Sequence, residues 1–190
     1  MVPAAPCGGA HVTDSRDTAY PEGPTMARSP LRRVYAALAD KPLGRHLFSA
    51  AVALTAPYFR TIRATVVSLE PGRGVATMAD RWGVRNHIGT VHAIAMCNLA
   101  ELVAGTTIEM SLPESHRWIP KGMQVSYLAK AQGRLTAVAT VEDLTALAAE
   151  EAREVVVPVD VTEPAGQVVL HADITMWVTP AARTRAPQEV

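Results

Sequence analysis

At 190 residues the chain is long enough to bury a sizeable core as one domain with tails, and two separate folded domains are not expected. Eighteen Lys plus Arg balance eighteen Asp plus Glu, so the basic excess that drives sequence-independent phosphate-backbone binding is missing and nucleic acid is not an expected partner. Two cysteines, Cys7 in a glycine- and proline-rich leader and Cys97 in an apolar stretch, supply neither a disulfide framework nor a metal motif.

Residues 1–27 lack periodicity and are rich in Pro, Gly, Ala and Thr, a composition expected to give a disordered leader. They show no basic start followed by an apolar run, and no apolar stretch reaches the roughly 20 residues that span a bilayer. The expectation is a cytoplasmic protein with no membrane partner. Ser29-Pro30 supplies a helix start, and Leu31, Val34, Tyr35 and Leu38 follow at helical spacing. A second helix is expected after Pro42, with Leu43, Leu47, Phe48, Ala51 and Leu54 as its apolar stripe and Pro57 as its end. These N-terminal helices, 29–56, belong to one domain over 28–180, with a flexible tail at 181–190.

From Thr61 the period changes to two. Ile62, Ala64 and Val66 alternate with Arg63, Thr65 and Val67, and Pro71-Gly72-Arg73-Gly74 turns this strand into a hairpin partner, Val75 to Asp80. A polar loop, Trp82 to Gly89, leads into the longest apolar helix, Thr90 to Thr107. After a loop containing Pro113 and Pro120, strands are expected at Met123–Ala129, Leu135–Val141, Val155–Val161 and Val168–Val178. Asp143 to Arg153 has helix formers but little apolar face, and a short surface helix is the expectation there. The fold class is α+β: an antiparallel sheet curled around one long central helix, preceded by two extra helices.

Glu101 is the one formally charged residue between Thr90 and Thr107. Apolar residues occur on every side of that helix, so it is expected to be covered all round. An unpaired buried carboxylate would then cost several kcal/mol or titrate upward. Two explanations stay open on the helix alone: a general base or nucleophile in a desolvated cleft, or a structural acid paired with a buried arginine or a backbone group. Asn86, His87 and His92 cluster at the helix start, where free N–H groups and the positive end of the dipole favour an anion such as a thioester oxyanion. Simple capping by Asn86 and a polar corner filled by His92 is the bland alternative.

The run Asn86-His87-Ile88-Gly89-Thr90-Val91-His92-Ala93, followed by Asn98-Leu99-Ala100-Glu101, resembles the signature of the PaaI-like (phenylacetate-type) hotdog-fold acyl-CoA thioesterases, and Met123 to Leu128 looks like their next strand. The likeness covers roughly 61–179, with the two leading helices resembling a less characterised bacterial branch. It implies a shared site in a homodimer or homotetramer. Asn86 would hold the nucleophilic water or thioester, the Ala93 N–H would be the oxyanion donor, His92 would shape the turn, and Glu101 of the neighbouring subunit would be base or nucleophile. Gly89, Thr90, Asn98 and Lys121 are the expected substrate-binding residues, with acyl-CoA or an acyl carrier thioester as substrate and no cofactor. Two departures stand out: Ala93-Ile94 replaces the family's double glycine and narrows the space over the helix start, and Glu101 stands where aspartate is common.

Two other functions compete. A 3-hydroxyacyl thioester dehydratase or hydratase would use His87 with Glu101, although the Pro-Gly helix start of bacterial fatty-acid dehydratases is absent. A non-catalytic acyl-CoA-binding protein would keep Glu101 as structure. His87, His92 and Glu101 lack the His-Glu-x-x-His spacing of a zinc hydrolase, and no Gly-x-Ser-x-Gly elbow is present. Lys121, Lys130 and Arg134 are candidate contacts for the phosphates of the carrier, with solvated surface charge as the alternative for each.

Overall fold

A computed structural model describes residues 29–181. The expected leader, Cys7 with it, and all of the expected tail but its first residue lie outside the described residues. Two helices come first, α1 (Pro30–Leu38) and α2 (Gly44–Thr55), then a 3-10 turn at Pro57–Thr61. The hairpin β1 (Thr65–Glu70) and β2 (Arg73–Met78) leads to α3 (Ala93–Ser111). Four strands complete the chain: β3 (His116–Tyr127), β4 (Leu135–Thr140), β5 (Arg153–Thr162) and β6 (Val168–Pro180). The six strands form one antiparallel sheet in the order β1-β2-β4-β5-β6-β3.

The sheet curls around α3 because every strand turns one apolar row inward. Val155, Val157, Val159 and Val161 of β5 and Ala172, Ile174, Met176 and Val178 of β6 are buried, as are Leu99, Val103, Ala104 and Ile108 of α3. Each such aliphatic side chain removed from water contributes about 1.5–3 kcal/mol for the larger ones. An antiparallel sheet wrapped on a single long helix is the hotdog fold, as expected. By length and composition α3 alone among the described helices could cross a membrane, and here it is the core helix of the sheet.

Several boundaries differ from expectation for identifiable reasons. β1 begins at Thr65, since residues 57–61 form a 3-10 turn and Arg63 has a left-handed φ of 48°. β3 begins at His116 and runs through Pro120. A proline fits there because β3 is an edge strand and its register with β6 shifts between Pro120 and Gly122. The expected surface helix after Asp143 is only a 3-10 turn at Thr145–Ala148, whose Thr145 and Ala146 N–H groups donate to Asp143 Oδ1 at 2.9 and 3.2 Å. The stripe of α2 is also different. Gly44, Phe48 and Val52 are buried, while Leu43, Leu47 and Leu54 are exposed.

The leading helices cover one edge of the sheet. Val66 N–H donates to Ser49 Oγ at 2.9 Å and Leu69 N–H to Tyr35 Oη at 2.8 Å, so side chains of α1 and α2 occupy backbone donors of β1. No described strand pairs with the outer side of β3.

Candidate functional site

The loop before α3 is organised by Asn86. Its Oδ1 accepts from the N–H groups of Ile88 and Thr90, both at 3.1 Å, and its Nδ2 donates to Thr90 Oγ1 at 2.9 Å. Its backbone N–H also donates to Thr90 O at 2.8 Å. Asn and Asp are suited to this because a short polar side chain can satisfy backbone groups two and four residues on. One Nδ2–H remains for any ligand. Gly89 carries a φ of +83° that closes the turn and has nothing within 4 Å of its missing Cβ. Thr90 is buried, fixed by its bonds to Asn86.

The loop is tied to the sheet from two sides. Val91 N–H donates to Ala131 O and His92 N–H to Val84 O, at 2.9 and 2.8 Å. Asp80 accepts from Arg85 Nε at 2.7 Å and from Gly133 N–H at 3.1 Å. The Arg85 guanidinium holds the Asp80 carboxyl below its ordinary value, with the Gly133 amide adding to the effect and burial opposing it.

His92, not Asn86, caps α3. Its Nδ1 accepts from Ile94 N–H at 3.1 Å, so the neutral ring carries its proton on Nε2. The carbonyl of His92 accepts from Ala95 and Met96 N–H. That leaves the N–H of Ala93 as the donor of the first turn without a partner among the described residues. His87 is exposed and makes no hydrogen bond among the described residues.

Glu101 corrects the expectation of a helix covered all round. It is exposed and has no hydrogen bond or ion pair among the described residues, so in the single chain it is neither desolvated nor a structural acid. It lies on an open stripe of α3 with Ile94, 54 % exposed, and half-buried Cys97. Asn98, one turn before Glu101, is buried instead: its Nδ2 donates to Thr61 Oγ1 at 3.1 Å, and its Oδ1 is buried without a partner. Lys121 is not near the helix start. It projects from the outer face of the sheet, paired with Glu154 and lying 5.1 Å above the Trp177 ring.

Three features escaped the sequence. Tyr127 Oη, on edge strand β3, sits 3.3 Å from Cys97 Sγ, bringing that edge against the open stripe of α3. The Cys97 contact pushes the Tyr127 hydroxyl above its ordinary pKa, reinforced by burial. Arg81 reaches Thr61 O through Nη2, while its Nε is buried without a partner. Trp82 is 91 % exposed beside the loop. None of these contacts follows a period or spacing; each depends on where the loop and the edge strand meet in space.

A family profile described as "Domain of unknown function (DUF4442)" matches residues 44–178. No curated protein matches the chain. A structural-genomics protein of solved structure shares 43% identity, with 80% of this chain and 98% of that one covered at a TM-score of 0.69. A Pseudomonas aeruginosa protein described as a probable thioesterase is 23% identical, covering 72% of this chain and 93% of its own, at 0.63. A thioesterase from Staphylococcus aureus is 17% identical, over 65% of this chain and 99% of that one, at 0.56. The last two likenesses are likenesses of fold.

Proposed function

Since the chain belongs to the DUF4442 family, a hotdog branch without an assigned reaction, we propose from its own geometry that it is an acyl-CoA thioesterase acting on small or medium acyl groups. The observation that carries the proposal is that one otherwise buried helix presents an Ala93 N–H at its start and a Glu101 carboxylate on its open stripe, neither with a partner among the described residues. An amide donor at the positive end of a helix suits a developing oxyanion, and a free carboxylate suits activation of water.

The two groups serve one thioester only across a subunit boundary. Eight residues of α-helix separate them, about 12 Å of rise. A glutamate side chain leaning toward the helix start recovers only part of that. Both groups reach one carbonyl if Ala93 comes from one copy and Glu101 from another. The covered β1 edge and the uncovered β3 edge favour antiparallel pairing of β3 with its own copy, and the Cys97–Tyr127 contact puts the open stripe beside that edge. Such a boundary would take Glu101 out of bulk water and bring it against the neighbouring copy's helix start.

In this mechanism the thioester carbonyl oxygen accepts from Ala93 N–H. Glu101 of the other copy takes a proton from water as the water attacks; the tetrahedral intermediate then collapses by breaking the C–S bond, and the protonated Glu101 returns its proton to the departing thiolate, leaving the carboxylic acid and the thiol. Asn86 holds the loop and offers its remaining Nδ2–H. Structures of the Staphylococcus aureus protein carry alanine in place of a glutamine and of a glutamate fifteen positions apart, the same separation as Asn86 and Glu101 here.

The test is thiol release from short, medium, hydroxylated and aromatic acyl-CoAs by wild type and Glu101→Gln of matched oligomeric state. A loss of roughly a hundredfold or more in the variant is expected. Water loss from a 3-hydroxyacyl-CoA without thiol release would install the dehydratase in its place, and binding without turnover would make this a binding protein.

A further inference from the structure

Away from α3, on the other side of the sheet, the α1–α2 corner and the β1 edge enclose a trough. Its larger part, about 690 Å³, is lined by Lys41, Arg45, His46 and Arg134 together with Thr65 and Thr77. A smaller part, about 260 Å³, shares His46 and Thr65 and adds Arg60 and Arg63. A chain with no net charge thus gathers five permanent cations and a histidine along one concave surface, against the single carboxylate of Asp40. None of the five has an ion-pair partner among the described residues.

The backbone adds to this field. α2 begins at the trough with Leu43 as its N-cap, and Leu43 offers no side-chain acceptor. Gly44 N–H donates to Lys41 O, and the N–H groups of His46 and Leu47 donate to Leu43 O, which leaves Arg45 N–H without a partner among the described residues. Twelve residues of helix put their positive end where the cations already converge. The corner is rigid: a Cβ on Gly44 would meet Leu38 O at 1.7 Å, and Tyr35 and Phe48 lock α1 to α2 edge to face at 5.0 Å. The two non-glycine residues with left-handed φ among the described residues, Leu43 at 62° and Arg63 at 48°, both line this trough. Such strained backbone gathers at ligand clamps.

We propose that the trough binds the phosphate groups of a nucleotide-sized small molecule. The larger part falls within the roughly 300–1,000 Å³ of small-ligand sites. It contains no Phe, Tyr or Trp on which successive bases could stack, and His46 is its one aromatic ring, which disfavours a single-stranded nucleic acid. The phosphate chemistry has two sources: the nucleotide end of a coenzyme A thioester, or a free nucleotide. The site lies at the end of the sheet where α3 starts, since Arg134 follows by three residues Ala131, whose carbonyl holds Val91 N–H. The proposal stands whether or not the chain hydrolyses thioesters, because binding is its readout.

The experiment is calorimetric titration of the full chain with pyrophosphate, ADP, coenzyme A and pantetheine at low and high salt. It uses wild type, the exposed-residue double variant Arg45→Gln/Arg134→Gln, and Arg153→Gln, exposed on β5, as a cation control on another part of the surface. Pyrophosphate and ADP are expected to bind wild type and Arg153→Gln alike, to weaken about tenfold or more in the double variant, and to weaken with salt. Pantetheine, without the nucleotide phosphates, should show no difference among the three proteins. Competition between ADP and coenzyme A would identify the thioester's nucleotide end as the ligand; simultaneous binding of both would identify a free nucleotide. Failure of all phosphorylated probes to bind, or equal binding by a folded double variant, overturns the proposal. Thiol release without such binding would leave the hydrolase intact and remove only this site.

Discussion

Trp118 of β3 donates its indole Nε1–H to Glu109 Oε2 at 2.6 Å, and Ser29 Oγ donates to the same carboxylate. With Arg32 Nε donating to the Glu109 carbonyl at 3.1 Å, this residue ties α1, α3 and β3 together. Glu109, then, is the structural acid of α3, and Glu101 carries no comparable bond. Replacing Glu109 by Ala should lower unfolding free energy by about 1–3 kcal/mol, as expected for a charged acceptor removed from two partly buried donors. Glu101→Gln should stay within about 0.5 kcal/mol of wild type in the same urea titration under conditions that keep the chain monomeric. Equal losses for the two would show that Glu101 has a structural partner.

Ala93→Pro deletes the proposed oxyanion donor while leaving the helix its geometry. Proline is favoured in the first helical position, and His92, with φ −67° and ψ 137°, already has the conformation required before proline. Thermal melting should match wild type, and kcat/KM should fall by about 10²–10³. Retained kcat/KM in this variant would remove Ala93 from the mechanism.

Ala93→Pro and Glu101→Gln should complement each other. If each site takes its donor from one copy and its base from another, mixed dimers formed by unfolding and refolding an equimolar mixture contain one intact site. Activity should recover to about a quarter of wild type, against near-background for either variant alone. No recovery, with mixed dimers confirmed by mass, would place both groups in one chain.

His171, on the outer face of the sheet, lies 2.7 Å from Asp160 and 3.5 Å from Asp173. The Asp160 hydrogen bond raises its pKa, partly opposed by burial and supported by the charge of both acids. A raised folded-state value means the stabilisation is full below the unfolded value of about 6.5 and disappears as pH rises through the folded one. The stability gap between wild type and His171→Gln should therefore be wider at about pH 5.5 than at about pH 9. A gap that widens with pH would contradict the assignment.

The strands and the long helix were legible because their periods are physical. Burial on one face imposes an alternation of two in β4, β5 and β6, and α3 is apolar over several turns. Pro120 misled the placement of β3, since a proline reads as a loop until the strand is known to be an edge. The stripe of α2 misled for a related reason: Leu43, Leu47 and Leu54 share a helical period with the buried positions, and only the position of the sheet decides which face is covered. In the site, Asn86 and His92 are legible as polar residues clustered at the helix start, and Thr90 and Ala93 only through the resemblance to the thioesterase signature, but the division of labour is not legible. That His92 caps and Asn86 fixes the loop depends on backbone direction at two residues. Lys121 is expected at the site from its charge and its place on the strand after Pro120, and its partners Glu154 and Trp177 lie on strands whose register the sequence does not specify.

Ser49 and Tyr35 spend their hydroxyls on the backbone of β1, and that small act sets a limit on growth. A sheet with two bare margins can go on adding copies into a filament; this one has a stopper at one end. Any copy joining strand to strand can do so only along β3, and once it has, both free margins are occupied. In an assembly built strand to strand the leading helices would act as terminators, and their loss would expose a second adhesive margin on every chain.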